Sequence, residues 1–186
     1  MTRPIGLIGV GLMGTAIAER LLKHGFQLLG WDLNPDRCAD LMRLSGSCAE
    51  GIEQVFSSCD FVLLSLPTDE IVRSVLEEHS PQLRTGQFVI DTSTGDPQAA
   101  VAVAQGLERC GVDYLDATIS GSSDQVRTGS AVALVGASET AWIACQSLLA
   151  SIASQVLHVG PPGSGSQMKL VTNLVLGLNR ARLPKD

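Results

Sequence analysis

The sequence predicts an α/β protein built on a doubly wound, mostly parallel sheet. Three observations predict it. Strand-like apolar runs alternate with helical patterns along the 186 residues. A glycine-spaced turn, Gly9-Val10-Gly11-Leu12-Met13-Gly14, joins the first run to the first helical pattern. An acidic residue, Asp32, stands where the second run ends.

The elements follow in order. Residues 5–9 read as a strand, and 12–24 as a helix with Met13, Ile17 and Leu21 on one stripe. Strand 27–31 and helix 35–44 come next, then a short helix around 51–57, strand 61–65 and helix 69–79. Pro81 and Gly86 bracket the turn into strand 87–91. Asp96-Pro97 reads as an N-cap with proline in the first turn of helix 97–110, and Gly111 closes that helix. Strands 112–116 and 131–135, helix 139–150 and strand 155–159 complete the alternation. The run Pro161-Pro162-Gly163-Ser164-Gly165 then breaks the pattern and leads into helix 165–180. Met168, Leu170, Val171, Leu174, Val175, Leu176 and Leu178 cover most of that helix, and Lys169, Thr172, Asn173 and Arg180 form its polar remainder. A helix apolar on most sides is normally buried between other elements. The reading is a dinucleotide-binding domain over 1–162, with residues 163–186 as the start of a further helix.

Composition narrows the function. A formal net charge of -6 argues against nucleic acid as the main partner. Only the tail residues Arg180, Arg182 and Lys185 are locally basic. No apolar run is long enough to cross a membrane, and the Glu19-Arg20 pair argues against a signal peptide. The expected setting is cytoplasmic. The five cysteines, Cys38, Cys48, Cys59, Cys110 and Cys145, lack metal-ligand spacing and are expected as reduced, mostly buried thiols. His24, His79 and His158 are scattered, with the first two near helix ends, so no metal site and no histidine base is expected.

The glycine turn carries the chemistry. Gly9 permits a tight strand-to-helix turn, Gly11 lets backbone approach a pyrophosphate, and Gly14 lets the helix pack close to the strand. The helix starting at Leu12-Met13 points its positive N-terminus at the phosphates. The Asp32 carboxylate accepts from a ribose 2′-OH and repels a 2′-phosphate, so NAD is favoured and NADP less so. Arg37 is near enough to matter to that choice. Thr94 lies at a strand's carboxyl end, where such sheets bind ligands. The pattern is a Rossmann-type one.

Four separated motifs make the chain resemble the β-hydroxyacid dehydrogenases, the 3-hydroxyisobutyrate dehydrogenase family. They are Gly9-x-Gly11-x-Met13-Gly14, Asp91-Thr92-Ser93-Thr94 with Pro97, Asp116-Ala117-Thr118-Ile119-Ser120-Gly121 with Gly129, and Gly163-Ser164-Gly165-Ser166-Gln167-Met168-Lys169 with Asn173. The resemblance implies hydride transfer between nicotinamide and a 3-hydroxy acid such as 3-hydroxyisobutyrate. It implies Lys169 as general acid/base, Asn173, Ser120 and Gly121 as substrate-binding residues, and the Leu66-Pro67 loop as a cofactor contact. Residue physics agrees in part: Lys169 and Asn173 are four apart and share a helix face, and a lysine in an apolar helix loses solvation, which lowers its pKa. Without the resemblance, a solvated lysine is the better reading of Lys169.

The chain departs from the family pattern at Thr118, Ser122 and Gln125-Val126, which puts the substrate loop's shape in question. The resemblance also implies an all-helical C-terminal domain after an interdomain helix, with homo-oligomers in the full-length family. The last residues, through Pro184-Lys185-Asp186, lose the helical pattern. The reading therefore expects a truncated chain of weak or no activity. The alternative is a non-catalytic dinucleotide-binding module with an exposed interaction helix. An imine or semialdehyde reductase is a third reading, within which Lys169 favours oxygen over imine chemistry.

Overall fold

The computed structural model describes residues 3–182, with side chains described through Asn179. Lys185, Pro184 and the side chains of Arg180 and Arg182, read above as a basic, pattern-breaking tail, lie outside the described residues. Eight strands form one sheet: β1 (Ile5–Ile8), β2 (Leu28–Trp31), β3 (Ser47–Cys48), β4 (Phe61–Leu64), β5 (Phe88–Asp91), β6 (Asp113–Ser120), β7 (Val132–Gly136) and β8 (Gln155–Gly160). Their order is β3-β2-β1-β4-β5-β6-β7-β8. The chain starts at the centre, winds outward to β3, then returns past β1 to β4 and winds the other way. That reversal leaves a crevice at the carboxyl ends of β1 and β4, the place where open α/β sheets bind ligands.

The helices are α1 (Leu12–Lys23), α2 (Pro35–Arg43), α3 (Ile52–Ser58), α4 (Asp69–Glu78), α5 (Pro97–Glu108), α6 (Ser123–Thr128), α7 (Glu139–Ile152) and α8 (Ser164–Arg182). The sheet is covered on both faces. One core joins Ile17 and Leu21 of α1 and Leu149 and Ile152 of α7 to Leu7, Leu63 and Leu115. The other joins Phe56 of α3, Val72 of α4 and Leu107 of α5 to Val62, Leu64 and Val89. Double-sided burial explains why β4 (Phe-Val-Leu-Leu) reads as continuous hydrophobe instead of an alternation. Local caps agree with the sequence: Asn34, Thr68, Asp96 and Ser138 each accept an N–H from the first turn of α2, α4, α5 and α7.

Four features depart from expectation. The strand expected over 112–116 runs on to Ser120, and β7 pairs with it antiparallel, Asp116 opposite Gly136 and Ser120 opposite Val132. The short connection holds α6, which has one buried apolar residue, Val126, and so shows no helical stripe. Its capping box is made by Ser122 and Gln125, two of the positions that depart from the family pattern, and Gly129 ends it in the left-handed region. β3 is two residues long and exists through its pairing with Leu29 and Gly30 of β2. Finally, Cys38 and Cys48 are joined as a disulfide, with Cα atoms 5.6 Å apart. This corrects the expectation of five thiols. Placing β3 beside β2 brings Cys48 under α2, a neighbourhood that a spacing of ten residues does not reveal. Of the other three, Cys59 and Cys145 are buried and Cys110 is exposed.

Candidate dinucleotide and substrate site

The glycine turn is built by close approach. Gly9 has φ +91, and a Cβ on it would lie 2.3 Å from the Ser65 carbonyl oxygen. A Cβ on Gly14 would lie 2.0 Å from the Gly9 carbonyl oxygen, so α1 seats directly on the turn. At Gly11 the same construction meets nothing within 4 Å. Gly11 is also the N-cap of α1, with no side chain capping it and no acidic residue in the first turn. The positive end of a twelve-residue helix thus faces open space, as a pyrophosphate requires.

Asp32 closes the turn from the side. One carboxylate oxygen accepts the Val10 N–H at 2.6 Å, and the other accepts the Asn34 N–H at 2.9 Å. Each oxygen retains lone-pair capacity for a ribose hydroxyl. A cleft of about 630 Å³ opens here, lined by Gly9, Gly11, Asp32, Leu66 and Pro67 together with Glu50 and Gly51. Glu53, Glu78 and His79 also border it. This wall is acidic, which opposes a 2′-phosphate. Glu50-Gly51 follows β3, so it comes to the cleft only because the edge strand forms. Arg37 pairs with Asp40 at 3.9 Å on α2.

The other expected cofactor residues take separate places. Leu12 and Thr94 are exposed and lie outside that lining. Met13 packs against the α1 side of the core, which leaves its backbone for the turn. Leu66 donates its N–H to Ser93 Oγ at 3.0 Å, tying the loop after β4 to the loop after β5.

The candidate substrate residues sit on β6 and α8. Ser120 ends β6, and Gly121 follows with φ +152. α8 crosses β6, β7 and β8 and is held by Asp116, whose carboxylate accepts the N–H groups of Gly163 and Ser166, each at 2.7 Å. Thr118 Oγ1 adds a bond to the Gly165 carbonyl at 3.2 Å. Gly165 itself lies against the backbone of Asp116, Leu134 and Gly136 with no room for a Cβ. Three residues beyond Ser166, Lys169 is half-buried, and burial lowers its pKa from the ordinary 10.5. Asn173, one turn on, is exposed. Among the described residues no hydrogen bond joins Lys169 to Ser120, Gly121 or Asn173. Beyond it the apolar residues of α8 stand open: Leu174 is 64% exposed and Leu178 59%. Sequence reasoning singled out Lys169 but not Asp116 as its anchor; an acidic residue in a strand facing a glycine-rich helix start was the available signal.

Among the described residues no group of three His, Cys, Asp or Glu side chains is placed to hold a metal ion, and no helix is long and apolar enough to cross a membrane.

Comparison with known proteins places this geometry in a family. Residues 4–160 match the family model described as the NAD binding domain of 6-phosphogluconate dehydrogenase. The 2-(hydroxymethyl)glutarate dehydrogenase of Eubacterium barkeri is 33% identical over 182 residues, covering 96% of this chain and 60% of that protein. The solved 3-hydroxyisobutyrate dehydrogenase of Mycobacterium tuberculosis, with L-serine, superposes with a TM-score of 0.90 at 26% identity, over 95% of this chain and 60% of that one. The structure of Psf3 in complex with NADP+ and 2-OPP gives 0.86 at 25% identity, over 92% and 62%. The chain thus spans about three-fifths of each of these relatives. The chain belongs to the family of the 6-phosphogluconate dehydrogenase NAD-binding domain.

Proposed function

We propose that this chain is the dinucleotide-binding part of an NAD-dependent dehydrogenase acting on a 3-hydroxy acid of the 3-hydroxyisobutyrate type. The single observation that carries the reading is the uncapped N-terminus of α1 facing open space across Gly9-Val10-Gly11, with Asp32 beside it. Gly9, Gly11, Leu12, Met13 and Gly14 supply the turn and its N–H groups for the pyrophosphate. Asp32 takes the adenosine ribose, and Leu66, Pro67 and Thr94 border the nicotinamide half. The acidic wall of the cleft supports NAD over NADP. Bound NAD supplies hydride acceptance and NADH hydride donation.

The residues of this chain do the positioning and the proton work. Ser120 and Gly121 offer backbone N–H groups and a hydroxyl to the substrate carboxylate, and Asn173 offers its amide. Lys169 holds or takes the proton at the substrate oxygen; its lowered pKa brings the neutral, proton-accepting form closer to neutral pH. Residues 1–162 act as the dinucleotide domain and 163–182 as the start of an interdomain helix. The exposed apolar residues of α8 support a helical domain or a second subunit as the cover for that helix. Water exclusion during hydride transfer depends on that cover.

Fluorescence titration with NADH and with NADPH in parallel tests the reading. Saturable binding that favours NADH is expected. Lys169→Ala is expected to keep NADH binding while removing any turnover of 3-hydroxy acids. Absence of binding to either dinucleotide rejects the reading.

A further inference from the structure

We infer that Tyr114 is a positioning residue for the dinucleotide cleft: through Asp91 and Ser93 it fixes the main chain at Leu66, and so the Leu66-Pro67 wall. The inference rests on the cofactor reading above. The Tyr114 hydroxyl on β6 donates to Asp91 Oδ2 at 2.8 Å. The other oxygen of that carboxylate accepts the Ser93 N–H, also at 2.8 Å. Ser93 Oγ accepts the Leu66 N–H at 3.0 Å. Three bonds therefore run from β6, through the last residue of β5, to the loop after β4.

The location gives the relay its purpose. Pairing between β4 and β5 ends at Leu64 opposite Asp91. Thr92 adds two bonds to the Leu64 carbonyl, from its N–H at 2.9 Å and its hydroxyl at 2.7 Å. The Ser65 N–H still bonds the Ile8 carbonyl of β1 at 2.9 Å. Beyond Ser65 the ladder no longer sets the path of the chain, yet Leu66 and Pro67 line the cleft. The Ser93 hydroxyl takes over there. Tyr114 and Asp91 are 5% and 6% exposed. A phenylalanine fills nearly the volume of a tyrosine, and burying a carboxylate costs free energy that an apolar pair avoids. Fold alone does not require this arrangement; orienting Ser93 does.

The chemistry of the pair supplies a readout. Burial raises the Asp91 pKa, and the bonds from Ser93 and Tyr114 oppose that rise. The charged groups around the pair are Asp69 of α4, Asp96 at the start of α5 and Asp116 of β6, all acidic. With the phenol gone, the carboxylate keeps its proton to a higher pH. The neutral acid grips the Ser93 N–H less well. Binding of NADH should then fail at a higher pH on the acid side.

The test uses the chain as it stands, with circular dichroism and melting as the check on folding. NADH is titrated by fluorescence from pH 5 to 8 against the parent, Tyr114→Phe, Ser93→Ala and Ser93→Thr. Tyr114→Phe should move the acid limb of NADH binding to higher pH. Ser93→Ala should weaken NADH about tenfold, the scale of one hydrogen bond to a buried group, and Ser93→Thr should restore it. Hydrogen exchange at the Leu66 amide, measured without cofactor, should quicken in both Tyr114→Phe and Ser93→Ala. An unmoved acid limb, parent-like NADH affinity in Ser93→Ala, or unchanged Leu66 exchange overturns the inference while the parent still binds NADH. A parent chain that binds no dinucleotide overturns the cofactor reading as well.

Discussion

The carboxylate of Asp116 on β6 accepts the backbone N–H of Ser166 on α8 at 2.7 Å. With its second oxygen on the Gly163 N–H, Asp116 acts as an N-cap supplied from fifty residues away. The helix that carries Lys169 is thereby registered on the strand that ends in Ser120. Asp116→Asn keeps one acceptor and turns an amide N–H₂ toward the remaining donor. A loss of about 2 kcal/mol is expected, measured by urea unfolding, with faster exchange at the amide left without its partner.

The same residue predicts a pH dependence. Burial raises the Asp116 pKa above the ordinary carboxylate value, against the pull of its two N–H bonds. A raised folded value means that the contribution is fully present below the unfolded pKa, about 3.9, and is lost as pH rises through the folded one. Asparagine does not titrate. The stability gap between the parent and Asp116→Asn should therefore widen as pH falls from 8 toward 4, and a gap that narrows would contradict the assignment.

Two glycines are expected to respond to alanine in opposite directions. At Gly14 the new methyl lies 2.0 Å from the Gly9 carbonyl oxygen, so α1 must lift off the turn. A loss of about 3 kcal/mol and of NADH binding is expected. At Gly177, inside α8, a Cβ meets nothing within 4 Å. Alanine there should stabilise the helix by about 1 kcal/mol, read as a higher Tm.

Asp32→Asn tests the source of cofactor choice. The substitution removes the charge that opposes a 2′-phosphate and weakens the hold on the Val10 and Asn34 N–H groups. NADH affinity should fall about tenfold, and the NADH-over-NADPH preference should shrink by a similar factor. An unchanged preference would assign the choice to the acidic wall at Glu50, Glu53 and Glu78.

The Cys38–Cys48 bond closes a short loop between α2 and β3. Thiol titration of the unfolded, unreduced chain should count three reactive groups, Cys59, Cys110 and Cys145. Adding a dithiol reductant should lower stability by about 2 kcal/mol, and the double variant Cys38→Ser/Cys48→Ser should match the reduced chain.

The parts legible in the sequence were those where one residue type has one local task. The glycine turn needed left-handed φ at Gly9 and a missing Cβ at Gly14, and both are seen. Asp96-Pro97 announced α5, and the stripe of Met13, Ile17 and Leu21 announced α1. The illegible parts owe their form to neighbours. Two residues of β3 carry no periodicity of their own. The antiparallel turn of β7 depends on α6, whose sequence shows only a capping signature. Cys38 of α2 meets Cys48 of β3, and Tyr114 of β6 meets Asp91 of β5, across elements that no local pattern pairs.

By itself the sequence determined the α/β class and the dinucleotide turn, because backbone geometry and hydrophobic period are written in contiguous residues; the candidate substrate residues came from the family resemblance. The tertiary structure alone decided that Asp116 anchors the helix of Lys169, that Glu50-Gly51 joins the cleft wall and that Ser93 ties two loops together. Those contacts link residues far apart in the chain, and long-range hydrogen bonds leave no periodic trace in the residues that make them.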